Sequence, residues 1–159
     1  MIKTVYPINF AYGFDGTRKG AKYTFDGVHY KNAGEFKEFA LKRILGYADW
    51  NVKDSHRFDV DSDITDLRCS IKSAESSLYN VELADNFNDS LEMYFARVHS
   101  VIWKYVTIID NDLVVYTMDK NEFREFVSQF ARWDGYKGKI KFRTDSKKLL
   151  FWLESNAVA

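Results

Sequence analysis

The spacing of apolar residues predicts helices in four parts of this chain. In each part, apolar side chains recur every three or four positions, which places them on one face of a helix. Asn32 and Asp119 can each cap one of these helices. A glutamate stands three residues after each of them, Glu35 and Glu122, as in a capping box. The predicted helices cover residues 32–46, 88–99, 119–130 and 146–153.

Shorter apolar and β-branched stretches predict strands between these helices. They cover residues 58–63, 67–72, 77–83, 105–109, 113–116 and 139–143. The pair Asp110-Asn111 predicts the turn of a hairpin. Glycine and aromatic residues punctuate residues 6–30, which predicts short strands and turns there. The order of elements predicts an α+β fold, a central mixed sheet flanked by helices.

Length and composition favour one soluble domain over residues 1–159, with an N-terminal strand and turn segment at residues 1–31. Hydrophobic residues make up 46% and charged residues 29% of the chain. Aromatic residues are plentiful at 17%. They can fill a small core efficiently, or some of them can form a stacking or docking surface. Composition leaves both interpretations open.

Net charge and cysteine content limit the partners and the cellular compartment that we expect for this protein. The formal net charge is zero, which argues against a protein that simply coats nucleic acid. The single cysteine, Cys69, excludes an intramolecular disulfide and is expected in the core. No apolar run approaches the roughly 20 residues that cross a bilayer, and the N-terminus lacks a secretory pattern. We therefore expect a cytoplasmic protein that does not bind membranes.

Alternating acids precede a lysine in the middle of the chain. Asp59, Asp61 and Asp63 are two residues apart and would share one face of a strand. Ser70 and Lys72 would share one face of the next strand. If these strands pair, carboxylate and ammonium groups meet near one point, where Mg²⁺ or Mn²⁺ can bind.

Two points leave open whether these residues form a metal site. A second carboxylate would have to come from the first helix, through Glu35 or Glu38. The alternative is that the aspartates form a solvated edge that discourages strand addition.

Calcium and zinc fit these residues less well than magnesium. The loop starting at Asp59 lacks the glycine and glutamate of an EF-hand, and the histidines and Cys69 lack zinc-ligand spacing.

Several short motifs carry a resemblance to a known group of enzymes. They are Gly34-Glu35-Phe36, Ser62-Asp63-Ile64 and Ser70-Ile71-Lys72-Ser73, with residues 106–110 and 122–126 downstream. Together they resemble the PD-(D/E)XK, or restriction-endonuclease-like, nuclease superfamily over residues 34–153. More narrowly, they are similar to small nuclease-like proteins of phages and mobile elements of Gram-positive bacteria.

The resemblance implies a restriction-endonuclease-like core and a magnesium-dependent nuclease that acts on DNA in the host bacterial cell. Asp63 matches the motif aspartate, Lys72 the motif lysine, and Glu35 the helix glutamate that some members use as a metal ligand. With Asp61 they would form the catalytic and metal-binding group. The chain departs from the family at Ser70, where a second carboxylate is usual. Many nucleases of this shape act as homodimers, but no residue pattern here marks a dimer face.

A run of basic residues near the C-terminus predicts a surface that contacts phosphate groups. Its members are Lys139, Lys141, Arg143, Lys147 and Lys148. The first three alternate along a predicted strand, and the last two begin the final helix, where the helix dipole disfavours them. The alternative is a solvated face that balances acids elsewhere.

Three functions remain compatible with the sequence. The first is metal-dependent hydrolysis of DNA. The second is a nuclease-shaped protein without catalysis, which inhibits a host DNA-targeting defence by binding the defence protein or DNA, in the manner of an anti-CRISPR protein. The third is an ordinary interaction domain whose charges only keep it soluble.

Overall fold

The computed structural model describes residues 1–6, 23–25, 28–30, 41, 69–74, 77–79, 86–98, 100–110, 112–134, 139–142 and 146–158. The predicted strand at residues 58–63 lies outside this part of the chain. So does the predicted helix at residues 32–46, apart from Leu41, which is helical and fully buried.

The fold is α+β, as the sequence predicts. The described residues form nine strands and three helices. The strands are β1 (Ile2–Tyr6), β2 (Tyr23–Phe25), β3 (Val28–Tyr30), β4 (Cys69–Lys72), β5 (Ser77–Tyr79), β6 (Ile102–Ile109), β7 (Asp112–Met118), β8 (Ala131–Asp134) and β9 (Lys139–Phe142). The helices are α1 (Phe87–Arg97), α2 (Lys120–Phe130) and α3 (Lys147–Asn156).

The larger sheet is mixed and has the strand order β1-β7-β6-β4. β7 is antiparallel to both β1 and β6, whereas β4 is parallel to β6. Ile109 pairs with Asp112, so the predicted two-residue hairpin turn is confirmed. Asp110 has a φ of 51°, the left-handed conformation that such tight turns require and that aspartate tolerates.

Both faces of the larger sheet are buried at its central strands, β6 and β7. Trp103, Tyr105 and Tyr116 alternate with Val106 and Val115, and all five are at most 1% exposed. Residues two apart on a strand share a face, so the aromatic side chains lie on one side and the valines on the other. A sheet covered on both sides is a scaffold, and its interior positions have little access to a ligand.

Helix α2 covers the aromatic face. Asp119 accepts a hydrogen bond from the backbone N–H of Glu122 at 2.8 Å, and the Glu122 side chain accepts one from the N–H of Asp119, which confirms the predicted capping box. Phe123 stacks on Trp103 with ring centroids 4.9 Å apart, and Phe126 stacks on Phe142 at 5.2 Å. Many aromatic residues therefore fill the core, as one of the two interpretations of the composition predicted.

The smaller sheet has three strands in the order β5-β9-β8, all antiparallel. Its inner side adds Ile140 and Phe142 to the aromatic core. β8 follows α2 directly, because Ala131 is extended and its N–H bonds back to the carbonyl of Val127. A separate pair, β2 and β3, forms a two-stranded antiparallel hairpin.

The remaining sequence predictions are confirmed with shifted boundaries. α1 begins one residue earlier than predicted, after Asn86, whose side chain accepts the N–H of Asp89 at 2.9 Å. α3 extends to Asn156 and β6 begins at Ile102. The sequence analysis placed strands within residues 1–31 without giving bounds for β1, and it did not predict β8. β1 lacks the alternation of a buried strand, since Ile2 and Val5 are both exposed, and β8 has only four residues and no preceding turn signal.

Candidate functional site

Lys72 ends strand β4 on the aromatic side of the larger sheet. Its register partner on β6 is Tyr105, and partners on neighbouring strands share a face. Cys69 and Ile71 have the opposite parity and are buried. Ser70 has the same parity as Lys72 and pairs with Trp103, which confirms the prediction that positions 70 and 72 lie on one face of the strand.

Lys72 lies next to buried aromatic residues, but its own side chain is only partly buried. Tyr105 is fully buried and contacts Phe126 and Phe142 edge to face, with centroids 5.0 and 5.8 Å away. A lysine in this position can lay its aliphatic stem along apolar neighbours while its ammonium group reaches water. Lys72 is therefore placed to present a cation at the end of β4.

The carboxylates that the sequence assigns to the metal site, Asp63, Asp61 and Glu35, lie outside the described residues. Of the predicted catalytic group, the structure describes only Lys72. Within the described ranges, no three histidine, cysteine, aspartate or glutamate side chains lie close enough together to hold a metal ion. The magnesium site remains a prediction from the sequence.

The three-stranded sheet carries basic residues on its outward side. On β9, Ile140 and Phe142 are buried, so Lys141 between them projects from the other side and is partly exposed. Arg132 of β8 lies directly opposite Lys141 in the antiparallel register and is exposed. We call the side of this sheet that carries Arg132 and Lys141 the basic face.

The predicted basic residues of β9 fit this arrangement in part. Lys139 has the same backbone parity as Lys141 and pairs with Asp134 on β8 and Tyr79 on β5. Arg143 lies outside the described residues. Sequence reasoning missed Arg132, although its position between Ala131 and Trp133 was a usable signal for an outward-facing strand residue.

Lys147 and Lys148 form a second basic position at the start of α3. Both side chains are exposed. Ser146 caps the helix by accepting the N–H of Leu149 at 3.2 Å. Residues 146–150 include no acid that would complement the helix dipole. The prediction that these lysines begin the last helix is confirmed.

A carboxylate anchors the other end of α3 to the larger sheet. Glu154 accepts a hydrogen bond from the hydroxyl of the buried Tyr116 at 2.5 Å and one from Lys3 Nζ at 2.9 Å. These two hydrogen bonds, with the positive charge of Lys3, hold the pKa of Glu154 below its ordinary value, although partial burial opposes them. The cluster joins β1, β7 and α3.

Comparison with known proteins finds no family model, no curated protein and no solved structure that matches this chain. Within the described residues, no helix has the length and apolar character needed to span a membrane.

Proposed function

We propose that this protein binds DNA as a nuclease-like α+β domain and, with Mg²⁺ or Mn²⁺, hydrolyses its phosphodiester bonds. The observation that carries the binding part is the pairing of Arg132 with Lys141 on the basic face. Arg132 is exposed and Lys141 is partly exposed, so both cations can reach a ligand on this side of the sheet. Lysine and arginine side chains are the groups that neutralise DNA phosphates, and two of them opposite each other can contact neighbouring phosphate groups.

Binding through the basic face can be tested with one substitution and one control. Arg132→Ala should weaken the binding of a duplex oligonucleotide, measured by fluorescence anisotropy at constant salt, by roughly tenfold. Lys120→Ala is the control, because Lys120 is an exposed lysine of α2 that is not part of the basic face. Equal losses from both variants would show that overall charge, and not this face, governs binding.

The hydrolytic part rests on the sequence motif and on the position of Lys72. Carboxylate oxygens of Asp63, Glu35 and Asp61 are the donors that Mg²⁺ prefers. Lys72, on the same face of β4 as position 70, would stabilise the negative charge that develops on the phosphate group during hydrolysis.

Cleavage of a supercoiled plasmid with Mg²⁺ or Mn²⁺ tests this assignment. We expect Lys72→Met, which keeps an aliphatic stem beside Tyr105, to lower the cleavage rate about 100-fold, the usual cost of removing one electrostatic stabiliser. Asp63→Ala should lower it at least as much. Cleavage that is unchanged in both variants would remove the catalytic assignment and leave DNA binding intact.

A second candidate function follows from Ser70. Position 70 lies two residues before Lys72 on β4, where the nucleases that the sequence resembles carry a second carboxylate. A domain of this kind without catalysis could inhibit a host DNA-targeting defence by binding the defence protein or the DNA. Capture of a purified host defence nuclease by both the original protein and Asp63→Ala would favour this alternative. Metal-dependent cleavage that appears only in Ser70→Glu would also support it.

A further inference from the structure

Helix α3 exposes an aromatic ring that the core does not use. Phe151 is 75% exposed, more than any other large hydrophobic side chain in the described part of the chain. The helix already packs through Leu149 and Leu153, which are buried, and through Trp152, which stacks on Phe126 at 5.6 Å. Phe151 therefore contributes little to holding α3 on the domain.

Two exposed lysines lie one helical turn from this ring. Lys147 is four residues and Lys148 three residues before Phe151, and positions at these spacings are neighbours on a helix surface, with Cβ atoms roughly 5–6 Å apart. Helical side chains also lean towards the N-terminus, which tilts the ring of Phe151 towards the turn that carries both lysines.

The other polar groups at this end of α3 are already engaged. Ser155 Oγ donates to the carbonyl oxygen of Phe151 at 2.7 Å, and Asn156 Nδ2 donates to that of Trp152 at 2.8 Å. The carboxylate of Glu154 is paired with Lys3. The surface around the ring is therefore apolar at its centre and positively charged on its N-terminal side.

We propose that Phe151, Lys147 and Lys148 form a binding site for single-stranded nucleic acid, in which an unpaired base stacks on the ring and the lysines contact the adjoining phosphates. An exposed aromatic ring beside cations is the arrangement that sequence-tolerant single-strand binding uses. In a duplex each base is stacked between its neighbours, so this ring can contact a base only where the strands are separated. The inference rests on the proposed function, since the same lysines belong to the predicted phosphate-contacting surface.

The test compares an oligothymidylate with a duplex of equal length by fluorescence anisotropy. We expect Phe151→Ala to weaken single-strand binding roughly 5- to 150-fold, the loss of one stacked base, and to change duplex binding less than about twofold. Phe151→Trp should retain or improve single-strand binding because it keeps a ring. Phe151→Leu is the matched control, since it keeps an apolar side chain without a π face and should weaken binding as alanine does.

The outcomes of this test distinguish failure of the stacking site from failure of the proposed DNA binding. Full single-strand affinity in Phe151→Leu or Phe151→Ala would overturn the stacking site, even if Arg132→Ala still weakened duplex binding. Failure of the original protein to bind either form of DNA would overturn both proposals. Thermal unfolding of each variant checks its fold, and the exposure of Phe151 predicts only small changes.

Discussion

The four-stranded and three-stranded sheets differ in whether one or both of their faces are buried. The four-stranded sheet buries both sides of its central strands, with Trp103 and Tyr105 on one side and Val106 on the other. The three-stranded sheet buries one side, through Ile140 and Phe142, and turns Arg132 and Lys141 outward. The first arrangement supplies stability, and the second supplies a charged surface.

This difference separates the residues that stabilise the fold from those that the proposed function assigns to DNA binding. Side chains in the aromatic core contact several rings each, so their removal leaves a cavity. Side chains on the basic face lie at the surface, where a substitution changes charge without opening the core. Substitutions in the two regions should therefore affect different properties, folding stability in the aromatic core and binding on the basic face.

The largest effect is expected in the aromatic core. Phe123→Ala should lower the free energy of unfolding by about 3–5 kcal/mol, because Phe123 is fully buried and stacks on Trp103. Urea denaturation measures the change. Phe151→Ala is the matched control, since it removes the same side chain from an exposed position and should cost far less. Similar losses from the two variants would contradict the description of the core.

An intermediate effect is expected where Glu154 joins α3 to the larger sheet. Glu154→Ala should lower the free energy of unfolding by roughly 1 kcal/mol, because it removes the hydrogen bond from the Tyr116 hydroxyl and the exposed ion pair with Lys3. Urea denaturation at neutral pH measures the change. No loss of stability would show that this cluster does not hold the helix in place.

The same carboxylate predicts a pH dependence. The pKa of Glu154 in the folded protein lies below its ordinary value of 4.5, so its ionised form stabilises the fold above that pH. This contribution is lost as the pH falls through the lowered pKa. Glu154→Gln should therefore remove part of the stability decline between about pH 5 and the folded pKa, measured by denaturation at a series of pH values. An unchanged acid profile would contradict the assigned hydrogen bonds.

The smallest effect is expected on the basic face. Arg132→Ala should change the free energy of unfolding by less than about 0.5 kcal/mol, because Arg132 is exposed at the surface. Urea denaturation measures this change. A clear loss of stability would mean that Arg132 supports the fold and would weaken the distinction between the two sheets.

Local signals in the sequence account for the elements that could be predicted. The capping box of Asp119 and Glu122 and the hairpin turn at Asp110 are encoded within a few residues, and both are present. The parallel pairing of β4 with β6 brings together residues about 30 positions apart, and no local pattern specifies it. Arg132 is a different case, because its position between Ala131 and Trp133 is a local signal that the sequence analysis did not use.

The predicted catalytic group shows the same limit. Short motifs identified Asp63, Glu35 and Lys72 by residue type, but a metal site depends on distances between elements that sequence spacing does not encode. The parity of Ser70 and Lys72 on β4 is confirmed because it follows from the alternation of a single strand. The meeting of that strand with Asp63 and Glu35 remains a prediction.

The salt dependence of duplex binding tests the central claim, that the basic face contacts DNA phosphates. The slope of log affinity against log salt concentration should be shallower in the Arg132→Ala, Lys141→Ala double variant by about 2, since each phosphate contact contributes about 0.9. Lys120→Ala should keep the original slope. If the double variant keeps it too, the cations of the three-stranded sheet do not bind DNA, and the proposed interface is wrong.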